Sequence, residues 1–172
     1  MYKRQHLDIA TIDRISGELI AGQNSLITIG TSSDAAASAF NRIAAVNSSM
    51  SWGQDSVTAA LYVSSTISGI GDNGKIVVDG SLGGLEGYDQ ANYSAQVNVA
   101  EYGMLMLDMA SLGNSAAVNG TLAMSDGSYI ALVNADEGTI KLTESAADLT
   151  INEGDLVEVV TCLLYTSPSP RD

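Results

Sequence analysis

Hydrophobic residues alternate with polar or small residues along much of the chain, and many of these alternating runs follow a glycine. Side chains on a strand point alternately to its two faces, so each run predicts a turn that leads into a half-buried strand. Four such segments have glycines 17, 18 and 16 residues apart, namely Gly103–Leu107, Gly120–Met124, Gly138–Leu142 and Gly154–Glu158. This near-constant period predicts stacked, similar coils.

Further strands are predicted on the same grounds. Upstream they are about Ile9–Ile15, Glu18–Ala21, Ser25–Ile29, Asp55–Ser68 and Gly74–Val78. In the later repeats a second strand is predicted after the segment that begins with glycine, at Ala116–Val118, Tyr129–Val133 and Leu149–Ile151. Two strands per period, joined by turns in which an acidic residue precedes glycine, predict an all-β fold, a right-handed parallel β-helix (β-solenoid).

Two insertions are predicted to interrupt this β-helix. Apolar residues at helical spacing after the N-capping Ser32–Asp34 predict a helix over about residues 33–46. A longer spacing between Gly74 and Gly103 predicts a loop over about residues 83–92. Insertions in solenoids often form the binding face, so the candidate partner-binding residues are Tyr88, Asp89, Asn92 and Tyr93, with the single tryptophan, Trp52. The alternatives are a plain solvated loop and a tryptophan that packs internally.

Both ends of the chain resemble translated sequencing adapter. The tail, residues 162–172, can be encoded by the end of a transposase-based library adapter, and the head, residues 1–5, by most of its reverse complement. Residues 6–161 are therefore expected to be an internal segment of a longer reading frame, flanked by two adapter-derived artefacts. A native disordered tail is the alternative.

The composition of residues 6–161 limits the partners. This segment has no cysteine and no proline, and its four basic and nineteen acidic residues give a formal charge of −15. Phosphate binding needs a basic surface, so nucleic acid is not expected as a partner. No apolar run has the length of a membrane span, so direct membrane insertion is not expected either.

Candidate chemistry is limited to carboxylates and amides. The only histidine, His6, adjoins the adapter-like head, and residues 6–161 contain no cysteine, so neither a Ser-His-Asp nor a Cys-His set is expected and an enzyme is not predicted. A glycosidase-type carboxylate pair is the alternative. Oxygen ligands at glycine turns make Asp72, Asn73, Asp126 and Asp136 candidates for binding Ca²⁺, although turn formation also explains them. No other metal and no cofactor is predicted.

The phrases Gly120-Thr-Leu-Ala-Met124, Gly138-Thr-Ile-Lys-Leu142 and Ser25-Leu-Ile-Thr-Ile-Gly30, in an acidic and cysteine-free segment, resemble the passenger region of bacterial autotransporters and related surface β-helix adhesins. The resemblance implies a structural or adhesive segment of a secreted or cell-surface bacterial protein. It also implies an extracellular location, a glycan or protein partner on a host or cell surface, and an outer-membrane barrel in a missing C-terminal part. Two alternatives are a polysaccharide-acting β-helix hydrolase or lyase fragment and a trimeric phage or surface-layer fibre segment.

Overall fold

The computed structural model describes residues 5–12, 14–30, 34, 36–38, 57–83, 85–113, 115, 117–125, 127–134, 137–140, 149–152 and 156–159. Residues 34 and 36–38 are helical, and two further short elements are a 3₁₀ turn at Gln90–Asn92 and helix α1 at Met109–Leu112. The strands are β1 Gln5–Ile9, β2 Glu18–Ala21, β3 Ser25–Ile29, β4 Ala59–Val63, β5 Lys75–Val78, β6 Val97–Val99, β7 Gly103–Asp108, β8 Leu122–Met124, β9 Ser128–Val133, β10 Glu137–Ile140, β11 Leu149–Asn152 and β12 Leu156–Val159.

Most strands belong to two parallel sheets. The larger sheet has five parallel strands in the order β1-β3-β4-β7-β9, and β12 joins β9 at its edge in the antiparallel direction. The smaller sheet has four parallel strands in the order β2-β5-β6-β8. An antiparallel pair, β10 and β11, stands apart from both. The result is a mixed, mainly parallel fold of the α/β-like kind with few helices.

The main core lies between the two sheets. Alternate residues of the larger sheet, such as Ile27, Leu61 and Leu105, point to the same side and are buried there. They share one cluster with Val78 and Val97 of the smaller sheet. Removal of these aliphatic side chains from water is the dominant favourable term for holding the sheets together.

The opposite face of the larger sheet is buried as well. A second cluster contains Tyr62 of β4, Met104 and Met106 of β7, and Ala131 of β9, and Ala36 packs against them. Every residue of these three strands is therefore buried. Parallel strands covered on both faces have nearly continuous hydrophobic sequences, which is what the runs in β4, β7 and β9 show.

The predicted β-helix is wrong. A solenoid coil visits each of its sheets once per turn, but among the described strands β3 and β4 are consecutive and both belong to the larger sheet, and β5 and β6 are consecutive and both belong to the smaller one. No closed solenoid coil forms in the described part of the chain. The parallel order also stops at β9, because β12 is antiparallel. The physical reason is the second buried face, since a strand ladder covered on both sides is the inner layer of a larger fold.

Strand positions were predicted better than strand partners. The strands Glu18–Ala21 and Ser25–Ile29 are confirmed to the residue. The strand predicted over Asp55–Ser68 was too long. Among the described residues, β4 covers only Ala59–Val63. The strand predicted from Ile9 to Ile15 lies further upstream as β1, and Ile15 forms only an isolated bridge with Ile70. Strand β6 was not predicted.

The two predicted insertions are only partly visible in the described residues. Residues 34 and 36–38 are helical, and Ala36 is fully buried; the remaining residues of the predicted helix lie outside the described residues. The described part of the loop at 83–92 contains turns and the 3₁₀ turn. Gln5, assigned to the adapter-derived head, begins β1. The predicted artefactual tail lies outside the described residues.

Candidate functional site

Strands β5, β6 and β8 of the smaller sheet end side by side, because neighbouring parallel strands have their carboxyl ends on one edge. The residues that follow the strands continue the ladder of hydrogen bonds. Asp79 N–H donates to the Ala21 carbonyl (2.9 Å), Ala100 N–H to the Val78 carbonyl (2.8 Å), and Ser125 N–H to the Val99 carbonyl (2.8 Å). This stack of turns is called the turn edge below.

A pocket of about 560 Å³ opens at the turn edge. Its volume is within the range of about 300–1,000 Å³ that is usual for small-molecule sites. The described lining includes two carboxylates, three tyrosines and no basic residue: Asp79, Ser81, Asn92, Tyr93, Ala100, Glu101, Tyr102, Ser125, Gly127 and Tyr129. This turn-edge pocket is the candidate functional site.

Asp79 is the most buried carboxylate of the pocket, at 7% exposure. Its Oδ2 accepts a hydrogen bond from the Tyr93 hydroxyl at 2.8 Å. Its Oδ1 accepts from the Ser81 backbone N–H at 2.9 Å and from the Ser81 hydroxyl at 2.6 Å. These bonds offset the cost of removing the charge from water, and they tie the chain after β5 to Tyr93.

A stacked pair of tyrosines lies behind this carboxylate. The Tyr88 and Tyr93 rings are 5.3 Å apart between centroids and inclined by 16°. The Tyr93 hydroxyl is occupied by Asp79, whereas the buried Tyr88 hydroxyl makes no hydrogen bond of normal geometry. Lys75 Nζ holds the adjoining turn by donating to the carbonyls of Gln90 (3.2 Å) and Tyr93 (2.5 Å).

Both phenols are stabilised in the neutral form. Burial raises the pKa of Tyr93 far above its usual value, and the hydrogen bond to Asp79 and the charge of Asp79 raise it further. Burial also raises the pKa of Tyr88, and the charge of the nearby Glu18 carboxylate and its interaction with the Tyr88 hydroxyl add to this effect. Tyr93 is therefore a permanent hydrogen-bond donor to Asp79 over the ordinary pH range.

Tyr102 has a backbone conformation that is unusual for a bulky residue. Its φ of 57° lies in the left-handed region, which the two asparagines that share it, Asn24 and Asn134, tolerate more readily. Hydrogen bonds fix this conformation on both sides: Tyr102 N–H donates to the Gly127 carbonyl, and the Tyr102 carbonyl accepts from Thr58 N–H, each at 3.0 Å. The strained residue contributes to the pocket lining.

The structure brings together the four residues predicted in the loop at 83–92 and its end, but it gives them different roles. Asn92 and Tyr93 line the pocket, and Tyr88 stacks on Tyr93. Asp89 instead caps the 3₁₀ turn, because its carboxylate accepts from Ala91 N–H at 3.0 Å. Trp52 lies outside the described residues.

The candidate calcium ligands show no assembled site. Asp72 and Asn73 are exposed and occupy the turn closed by a hydrogen bond from Gly74 N–H to the Gly71 carbonyl. Across the described residues, no group of three or more histidine, cysteine, aspartate or glutamate side chains is placed to hold a metal ion. Asp126 and Asp136 lie outside the described residues.

Sequence reasoning missed Asp79, Glu101 and Tyr102. Their signal was their place at strand ends, since Asp79 follows β5 directly and Glu101 and Tyr102 separate β6 from β7. Carboxyl ends of neighbouring parallel strands meet at one edge, where ligands of open parallel sheets usually bind. A correct assignment of β5 and β6 to one sheet would have brought these residues together.

Comparisons with protein-family models, with curated proteins and with solved structures found no match. Within the described part of the chain, no helix has the length and apolar character needed to span a membrane.

Proposed function

We propose that the chain is a structural and adhesive segment of a bacterial cell-surface protein, and that it presents the turn-edge pocket to a partner. The observation that carries this proposal is the way the pocket is built. Its walls come from turns that are bonded to one another and supported by two packed sheets. A pocket on such a rigid support loses little conformational entropy when a partner binds.

The state of the Asp79 carboxylate supports binding rather than acid–base chemistry. A general base needs an oxygen within reach of a substrate proton, but Asp79 is 7% exposed and three of its roughly four acceptor positions are filled by Tyr93 and Ser81. Asp79 therefore acts as a fixed charge and as an organiser of the pocket wall. This supports a role in recognition.

The proposed location at the cell surface rests on composition. The acidic and cysteine-free character of residues 6–161 suits a protein that is exported without disulfides. The resemblance to autotransporter passengers also depended on a β-helix, and the fold removes that part of the argument. The proposal is accordingly confined to an adhesive surface role.

A bead-attachment assay tests the proposal. Beads coated with the full chain are expected to attach to immobilised bacterial or epithelial cells more strongly than albumin-coated beads. Glu101→Gln, which neutralises a pocket carboxylate, is expected to reduce attachment. Glu86→Gln removes one charge from an exposed loop residue outside the pocket and is the matched control. Attachment no stronger than that of albumin-coated beads would refute the adhesive role.

A polysaccharide-acting enzyme is the second candidate, because Asp79 and Glu101 line the same pocket. Glycosidases use a pair of carboxylates that flank the scissile bond. Incubation of the chain with a panel of plant and bacterial polysaccharides, followed by a reducing-end assay, separates the two candidates. The adhesive proposal predicts no new reducing ends. Release that disappears in Glu101→Gln would establish the enzyme instead.

A further inference from the structure

We propose that the turn-edge pocket binds an alkylammonium group, carried by a lysine side chain of a partner protein or by a free polyamine. This inference rests on the proposed adhesive function and specifies the chemistry of its partner. Three observations lead to it: the charge of the lining, the difference between its two carboxylates, and the tyrosines around them.

The charge of the pocket selects against anions. Its described lining contains Asp79 and Glu101 and no basic residue, and the whole chain has a formal net charge of −13. A concave site lined by charges of one sign raises the local concentration of the opposite ion. A cation entering the pocket meets both the local carboxylates and this general field.

The two carboxylates have different roles towards such a cation. Asp79 is buried and its oxygens already accept three hydrogen bonds, so it acts mainly through its charge. Glu101 is exposed, and its side chain packs against Gly127 of the pocket wall. The approach is close, because a Cβ atom added to Gly127 would lie 3.3 Å from the Glu101 Cγ. Glu101 is therefore the carboxylate that contacts the ammonium group.

The aromatic lining favours an organic cation. Three tyrosines contribute to the pocket lining, and aromatic rings attract ammonium groups through their negative faces. The Tyr129 side chain packs in the second core cluster and the Tyr93 ring stacks on Tyr88, so Tyr102 is the tyrosine that we assign to the cation. Tyr102 in particular occupies a left-handed position that glycine would adopt at lower cost. Strained residues of this kind cluster at ligand sites, and we assign the benefit of a tyrosine here to its side chain in the pocket.

Titrations of the full, ¹⁵N-labelled chain followed by NMR test the proposal directly. The probes are N-acetyl-lysine amide, spermidine, the uncharged N-acetyl-norleucine amide and glucose. We expect the two ammonium compounds to shift the amide signals of Ser125 and Gly127 in the pocket wall. Tighter binding of the lysine compound would identify a protein partner, and tighter binding of spermidine a free polyamine.

Two variants identify the groups that bind. Glu101→Gln is expected to weaken lysine binding about fivefold, whereas the control Glu86→Gln leaves it within about twofold. Tyr102→Gly removes the ring while relieving the backbone, so it is expected to fold normally and to bind about threefold or more weakly. Equal effects of the two glutamate variants would show that only general charge matters and would overturn the assigned site.

The remaining outcomes also decide the question. Binding of norleucine amide or glucose in preference to the ammonium probes would replace the proposal with an apolar or a saccharide site. If no probe shifts the pocket signals, the ammonium site is refuted. The adhesive function then stands or falls separately, because the bead assay requires no assumption about the ligand.

Discussion

The pair formed by Tyr93 and Asp79 is the clearest case in which individual residues determine the candidate site. A carboxylate at 7% exposure would be costly if it were unpaired, and the Tyr93 hydroxyl supplies one of its three hydrogen bonds. Tyr88 stacks on the same ring but lends no hydroxyl to the network. The two tyrosines therefore give a matched comparison between a phenol that donates to a buried carboxylate and one that does not.

Removal of the Tyr93 hydroxyl is expected to destabilise the fold. Tyr93→Phe leaves one oxygen of the buried Asp79 carboxylate without its donor, at an expected cost of about 1.5–3 kcal/mol. Tyr88→Phe removes only the interaction with the exposed Glu18 and no hydrogen bond to a buried charge, so it is expected to change stability by less than about 0.5 kcal/mol. Urea unfolding of both variants measures the difference. Equal losses in the two variants would contradict the assigned hydrogen bond.

The raised pKa of Tyr93 also predicts a dependence of stability on alkaline pH. The unfolded chain ionises this phenol near pH 10, whereas in the fold burial and the bond to Asp79 hold its pKa higher. The neutral phenol therefore contributes stability that is fully present below about pH 10 and is lost as the pH rises above it. Urea unfolding between about pH 9 and 11 should show a steep decline, and Tyr93→Phe should decline less steeply. Parallel curves would exclude Tyr93 as the source.

Among the strands, the glycines that precede or begin a strand have different structural roles in different places. Gly17, Gly74 and Gly120 precede strands of the smaller sheet, whereas Gly103 begins β7 of the larger one. An added Cβ at Gly103 would lie 2.5 Å from the Val78 carbonyl oxygen, but at Gly17 it would meet nothing within 4 Å. A glycine before an apolar run indicates a turn into a strand. Whether glycine is required at that position depends on how closely the neighbouring backbone approaches it.

This difference predicts that alanine is tolerated at Gly17 but destabilises the protein at Gly103. Gly103→Ala forces a methyl group against fixed backbone atoms and is expected to cost about 1–3 kcal/mol. Gly17→Ala, the matched control, is expected to stay within about 0.5 kcal/mol of the parent protein. Thermal unfolding of the two variants gives the comparison. A tolerated Gly103→Ala would mean that β7 and the end of β5 lie further apart than described.

At the scale of the whole molecule, uneven charge is the main feature besides the core. The chain has twenty acidic residues against seven basic ones, so the folded state is subject to self-repulsion. The two-sheet core opposes this repulsion with apolar burial, which does not depend on pH in the same way. Stability should therefore respond to ionic strength.

Added salt is expected to stabilise the protein near neutral pH. Raising NaCl from about 0.01 M to about 1 M shortens the screening length from about 30 Å to about 3 Å, which weakens the repulsion. We expect the unfolding midpoint to rise by about 2–4 °C, equivalent to about 1 kcal/mol. The control is the same measurement near the isoelectric point of about 4.1, where the salt effect should largely disappear. An equal rise at both pH values would contradict the electrostatic cause.

Local patterns along the chain were enough to place most strands. Alternation of side chains and turn glycines are local signals, because they depend only on backbone geometry within a few residues. They located β2 and β3 to the residue, and they singled out Tyr88, Asn92 and Tyr93 as a group. The same local signals missed β6.

The sheet that each strand joins, and its direction in that sheet, depend on long-range packing. A strand offers the same hydrogen-bonding groups to parallel and antiparallel neighbours, so the choice depends on what covers its two faces. Burial of both faces of the larger sheet turned a predicted coil into an inner layer. In the smaller sheet β5 lies beside β6. The segments that follow these two strands therefore bring Asp79 and Glu101 into one pocket.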